Sequence, residues 1–256
     1  MWRRNKSEQP DNLPAKPEEA GMSAKALSHI LESSTRLQAP AIRAYVAKLR
    51  KSNPDATPAE IITKLEKHYL AAVMASGAAV GSAAAFPGIG TLTALSAVAG
   101  ETVLFLEATA AFSLAVAEVH GIPLQERERR RNLVLGVLVG EEGKGAVKDL
   151  LGAGRTSGAW LAEAELLPLP VVSQLNNKFM QYFVKKYTVK RAAMAFGKLL
   201  PVGIGAAIGG GGNRLMGKKI VENSRRAFGP APDRWPVRLH LLPGVDDNLT
   251  AIEEAQ

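Results

Sequence analysis

The stretch Leu70–Val119 reads LAAVMASGAAVGSAAAFPGIGTLTALSAVAGETVLFLEATAAFSLAVAEV, and its reading decides the fold. It holds no Lys, Arg, Asp or His, and its only charges are Glu101, Glu107 and Glu118. Near its middle, Phe86-Pro87-Gly88-Ile89-Gly90-Thr91 interrupts any helix, because Pro removes a backbone donor and Gly costs helix entropy. The stretch therefore predicts two long apolar helices folded back on a Pro-Gly turn.

Working outward, Thr57-Pro58-Ala59-Glu60 is a capping box: Thr caps free amides, Pro suits the first turn, and Glu reaches back to the cap. A helix from Pro58 meets no stop before Phe86-Pro87, about 28 residues or about 42 Å at 1.5 Å per residue. Thr91 caps the return helix, which ends near His120 before Gly121-Ile122-Pro123. Upstream, Ser23 opens a short helix to about Arg36, and Pro40 opens another to about Lys51. Downstream, helices are expected over 125–139, in two short pieces within 144–166, and over 171–186, 188–200 and 202–228. Glu141 and Glu142 read as solvated acids in a turn. Strand signals are weak throughout, because few runs are both β-branched and alternating. Aromatics are only 5% of the chain, so the core must be built from Ala, Leu and Val, which favours close helix packing. The expected fold is all-α: a multi-helix bundle around the long apolar hairpin. One domain is expected over 22–229, between a disordered leader (1–21) and a disordered acidic tail (230–256).

The absence of cysteine excludes disulfides and thiol chemistry. The polar N-terminus has no apolar core of a secretory signal, so membrane contact is expected from the cytoplasmic side through internal segments. The four histidines lack metal-ligand spacing. The glycines from Gly203 to Gly209 miss a dinucleotide fingerprint by one residue and follow no clear strand. No cofactor is expected, and no catalytic or metal-binding constellation emerges.

Charge is unevenly spread. Across residues 178–226, eleven Lys and Arg face one acid, Glu222, while residues 230–256 carry five acids and two basic groups. Such a block suits an anionic partner. Its candidate contacts are Lys185, Lys186, Lys190, Arg191, Arg214, Lys218, Lys219, Arg225 and Arg226. A solvated helix surface is the plainer reading. Nucleic acid is disfavoured, because no recognition motif accompanies the charge.

The hairpin admits two readings. In one it enters a bilayer, with Lys64 and Lys67 before it and Arg127 to Arg131 after it marking a cytoplasmic base. In the other it is the buried centre of a helical domain. The three acids oppose insertion, since a mid-membrane acid costs roughly 2.5–3.5 kcal/mol. Glu107 and Glu118 share nearly one helix face, and Glu101 points about 120° away. With Asn213, they are the candidate buried polar groups: structural pairs with a neighbouring helix, or more sharply a ligand or proton site. Small residues recur at packing spacings, in the pairs Gly77/Gly81, Gly136/Gly140 and Gly205/Gly209. In the last helix Ala206, Gly210, Asn213, Gly217, Ile220, Ser224 and Ala227 form a heptad seam expected to dock on the hairpin.

These residues also carry a family likeness. The apolar run Ala75–Gly121 with Pro87-Gly88-Ile89-Gly90-Thr91 and Val119-His120-Gly121, the run Leu200-Pro201-Val202-Gly203-Ile204-Gly205 through Gly212-Asn213, and Ala227-Phe228-Gly229 resemble the EcsC family of bacterial proteins over about 55–230. The resemblance implies a helical bacterial protein associated with membranes or transport, with no established activity and no catalytic residues to carry over. The combined expectation is a non-enzymatic, membrane-associated protein on the cytoplasmic face. The alternative is a soluble helical domain holding an apolar ligand or a partner helix in its central crevice.

Overall fold

The computed structural model describes residues 29, 39–83, 91–151, 159–164, 166–198 and 204–236. Among them the chain is all-α, with eight helices and no strand. These are α1 (Ala39–Lys51), α2 (Pro58–Ala83), α3 (Thr91–Val119), α4 (Arg127–Val139), α5 (Glu141–Leu151), α6 (Trp160–Ala164), α7 (Leu169–Lys198) and α8 (Ile204–Phe228). The leader, most of the helix expected over 23–36, the Pro-Gly turn over 84–90 and the chain beyond 236 lie outside the described residues.

The capping box forms as read. The Thr57 amide donates to Glu60 Oε2 at 2.8 Å, and the Glu60 amide donates to Thr57 Oγ1 at 3.3 Å. The Thr57 backbone amide, with its hydroxyl, holds the Glu60 carboxyl below the usual carboxylate range. A depressed carboxyl stabilises above its unfolded pKa, and that support fades as pH falls through the folded value. From this start α2 buries Ile61, Leu65, Tyr69 and Val73, one stripe at four-residue steps.

The largest packing partner of α2 is α8. The two run antiparallel: Asn213 meets Val73, Gly217 meets Leu70 and Val73, and Arg225 meets Glu66. A Cβ on Gly217 would lie 2.9 Å from Val73 Cγ2, so the missing side chain sets the spacing. The expected seam is buried at Asn213, Gly217, Ile220, Ser224 and Ala227. The third member, α3, joins through Tyr69, whose ring stacks on Phe112 at 4.7 Å. Thr109 spends its single hydroxyl proton on the Phe105 carbonyl at 2.7 Å, so Tyr69 is the donor in the 2.9 Å bond to Thr109.

The longest run of consecutive buried residues in α4 is Asn132–Val139. It packs against α7, where Asn132, Asn176 and Glu128 form a hydrogen-bonded cluster. A Cβ on Gly136 would meet Leu161 at 2.7 Å and Trp160 at 2.9 Å.

Three expectations need correction. The helix expected in two pieces over 171–200 is one, Leu169–Lys198, because no Pro or Gly between 171 and 196 interrupts it. Glu141 and Glu142 lie in the first turn of α5 rather than in a turn between helices, where acids complement the helix dipole. Gly140 makes this possible: its amide closes α4 on the Gly136 carbonyl, and its carbonyl accepts the Gly143 and Lys144 amides that open α5. Finally, the tail does not begin at 230. Trp235 stacks beneath Arg50 at 3.8 Å and donates to the Ala56 carbonyl at 3.2 Å, and Pro236 covers Gly121.

Gly140 has φ +69°, and a Cβ there would sit 2.5 Å from Asn223 Nδ2. Gly140→Ala therefore combines left-handed strain with overpacking, and is expected to cost about 2–4 kcal/mol in urea unfolding, with an unchanged m-value.

Candidate functional site

Of the four polar groups singled out by sequence, Glu101 and Asn213 come together. Both are buried, at 0% and 3% exposure. Asn213 Nδ2 donates to Glu101 Oε1 at 2.7 Å and to the Val73 carbonyl at 3.0 Å, joining α8 to α3 and α2. A neighbouring amide is thus one partner of the buried acid.

Glu118 is only partly buried and lies 4.0 Å from the Arg43 guanidinium of α1. Glu107 is corrected: it is exposed on the outer face of α3, beside the exposed Leu104. The helical wheel gives the angle between Glu101 and Glu107 but not which of them faces the core.

The basic candidates divide. Lys185, Arg214 and Lys218 are exposed. The side chains of Lys186, Lys190 and Arg191 lie outside the described residues. Lys219, Arg225 and Arg226 are already paired within the chain. Lys219 bonds Glu222 at 3.1 Å, and Arg226 bonds Glu141 at 3.0 Å and Glu222 at 2.5 Å. Arg225 forms a two-pronged bond to Glu66, at 2.7 Å from Nε and 2.6 Å from Nη2. That hydrogen bond, and then the charge behind it, hold the Arg225 guanidinium above its usual value. Glu66 and Glu141 are distant in sequence, which is why the block looked nearly acid-free. Two of the arginines in the first turn of α4 are bonded within the chain as well. Arg130 donates to the Leu124 and Gln125 carbonyls, and Arg129 bonds Glu126 and the Leu167 carbonyl. Burial, then the neighbouring Arg127 charge, push the Arg130 guanidinium down.

Glu66 escaped the sequence reading. It is 5% exposed, and its only local signal is its place beside the Ile61, Leu65, Tyr69 stripe. With Arg225 it borders a groove of about 420 Å³ between α2, the end of α3 and the end of α8. Ile62, Val116 and Phe228 supply apolar lining, with Thr63, His120 and Ser224 beside them. The His120 ring stacks on Phe228 at 5.4 Å, and burial pushes its pKa down. Among the described residues no group of three His, Asp or Glu side chains is placed to hold a metal ion.

Comparison with protein-family models, curated proteins and solved structures finds no match to this chain.

Asn213→Ala removes the amide that serves both Glu101 and Val73, and is expected to cost about 2–3 kcal/mol in denaturant unfolding. Glu107→Gln, on the exposed face, should change stability by less than about 0.5 kcal/mol. His120 supplies a pH test. Its folded pKa lies below the ordinary histidine value, so the unfolded chain binds the proton first and stability rises with pH through that range. The melting temperature should fall on acidification from pH 7.5 to 5.5, and His120→Gln should flatten that slope.

Proposed function

We propose that this is a non-enzymatic, membrane-associated helical protein of the cytoplasmic face, accessory to a transport or membrane process, which meets the bilayer with one end of its bundle. The supporting observation is a pair of uncharged stretches that include the C-terminal end of α2 and the N-terminal end of α8, which point the same way. Residues 70–100 contain no Asp, Glu, Lys, Arg or His, and neither do residues 199–213. Antiparallel α2 and α8 cross at Val73 and Asn213, so the C-terminal end of α2 and the N-terminal end of α8 point the same way. Residue Glu101 joins that crossing from α3, whose N-terminal end follows them.

Exposed apolar side chains lie beside the crossing. Leu104 is 52% exposed and Leu215 is 71% exposed. Arg214 and Lys218 are exposed on the same helix as Leu215, suited to headgroups while the leucines meet acyl chains. Each such cation contributes about 1 kcal/mol at an anionic surface. Contact by the bundle end, rather than a separate span, suits the burial. Gly100–Val119 is long and apolar enough to cross a membrane, yet 67% of its apolar window is buried inside the protein.

That burial also favours the second reading, a soluble domain whose apolar helix is consumed by its own core and which binds an apolar ligand or partner helix. Flotation with vesicles of phosphatidylcholine and phosphatidylglycerol separates the two. The membrane reading expects recovery with the vesicles at low salt, weaker recovery at 500 mM salt as screening sets in, and loss in the double variant Leu104→Asp, Leu215→Asp. Recovery only in the soluble fraction at low salt overturns it.

A further inference from the structure

The groove beside Glu66 and Arg225 is separate from the uncharged end and is not used by the reading above. Its ion pair is asymmetric. The Glu66 side chain is 7% exposed and that of Arg225 is 65% exposed. The carboxylate lies inside and the guanidinium faces out. Pairing through Nε and one Nη2 proton leaves the Nη1 protons, on the edge away from Glu66, for another acceptor. A guanidinium clamped on one edge by a buried carboxylate is pre-set in position, so an incoming anion need not order it.

The remaining lining is mostly apolar. Val116 and Phe228 are buried at 2% and 1%, Ile62 is partly buried, and the chain after α8 adds Pro230 and Ala231 as a wall. That segment stays in place because Trp235 is anchored on Arg50 and Ala56. A volume of about 420 Å³ falls in the range of small-molecule sites, ~300–1,000 Å³. The chemistry is a fixed donor edge at one side of an apolar trough.

We propose that this groove binds a small anionic amphiphile, whose carboxylate or phosphate head accepts hydrogen bonds from the outer edge of Arg225 and whose short apolar chain lies over Ile62, Val116 and Phe228. A cationic head is disfavoured, because the only carboxylate in the groove is covered and already paired. No bond is made or broken; the role is binding.

Calorimetry on the full chain, with probes below their micelle concentrations, tests this. Octanoate and octyl phosphate should each give a saturable one-to-one isotherm, or one of them should, which then identifies the head. Octanol and inorganic phosphate should bind at least tenfold more weakly, one lacking the head and the other the chain. Thr63→Trp fills the groove from an exposed position and leaves both members of the ion pair in the sequence. It should abolish binding at an unchanged melting temperature. Arg225→Lys keeps a charge for Glu66 but loses the fork, and should weaken binding at least fivefold. The proposal is overturned if neither octyl anion binds, if octanol or inorganic phosphate binds as tightly as they do, or if Thr63→Trp binds like the wild type. Because no vesicle is present, its failure is independent of the flotation result.

Discussion

One side-chain amide, that of Asn213, fixes the register of three helices. Its two protons go to a carboxylate on α3 and a main-chain carbonyl on α2. A turn along α8, Gly217 lets the same pair of helices come close, and further on Arg225 reaches Glu66. Apolar contacts along this seam are tolerant of sliding. The polar ones are not, since a shift by one turn strands two buried carboxylates at a cost of several kcal/mol. Burial supplies the cohesion of the bundle, and these few groups select one alignment.

The local grammar of the chain was readable. Thr57 and Glu60 announced the start of α2, Thr91 the start of α3, and the seam residues from Asn213 to Ala227 all face inward. Each of these depends on neighbours within a turn or two, so the sequence carries the signal. What stayed hidden depends on partners far along the chain. Arg225 and Glu66 are 159 residues apart, Arg226 and Glu141 are 85 apart, and Trp235 and Ala56 are 179 apart. No spacing rule reveals such pairs, so a basic run looked unpaired and a docked segment looked like tail. Glu107 failed differently: periodicity gives relative phase around a helix, and the absolute direction comes from what packs against it.

The two ends of the α2–α8 pair differ in character. One continues into uncharged sequence, and in the proposed reading it is the end that meets lipid. The other holds the ion pairs, His120 and the groove. Asn213 donates to the acid near the uncharged end, while Glu66, Glu141 and Glu222 pair with arginines. Membrane contact and ligand binding, if both operate, would therefore use opposite ends of one rigid seam.

The docking of α8 on α2 also has a consequence in time. Asn213 lies 140 residues after its partner Val73. At 5–20 residues per second, a ribosome needs on the order of 10 s to make the intervening chain. During that interval α2 and α3 are synthesised, but the helix that covers their seam does not yet exist. The seam between α2 and α8 can therefore close only late in synthesis, once residue 213 and the helix that carries it have been made.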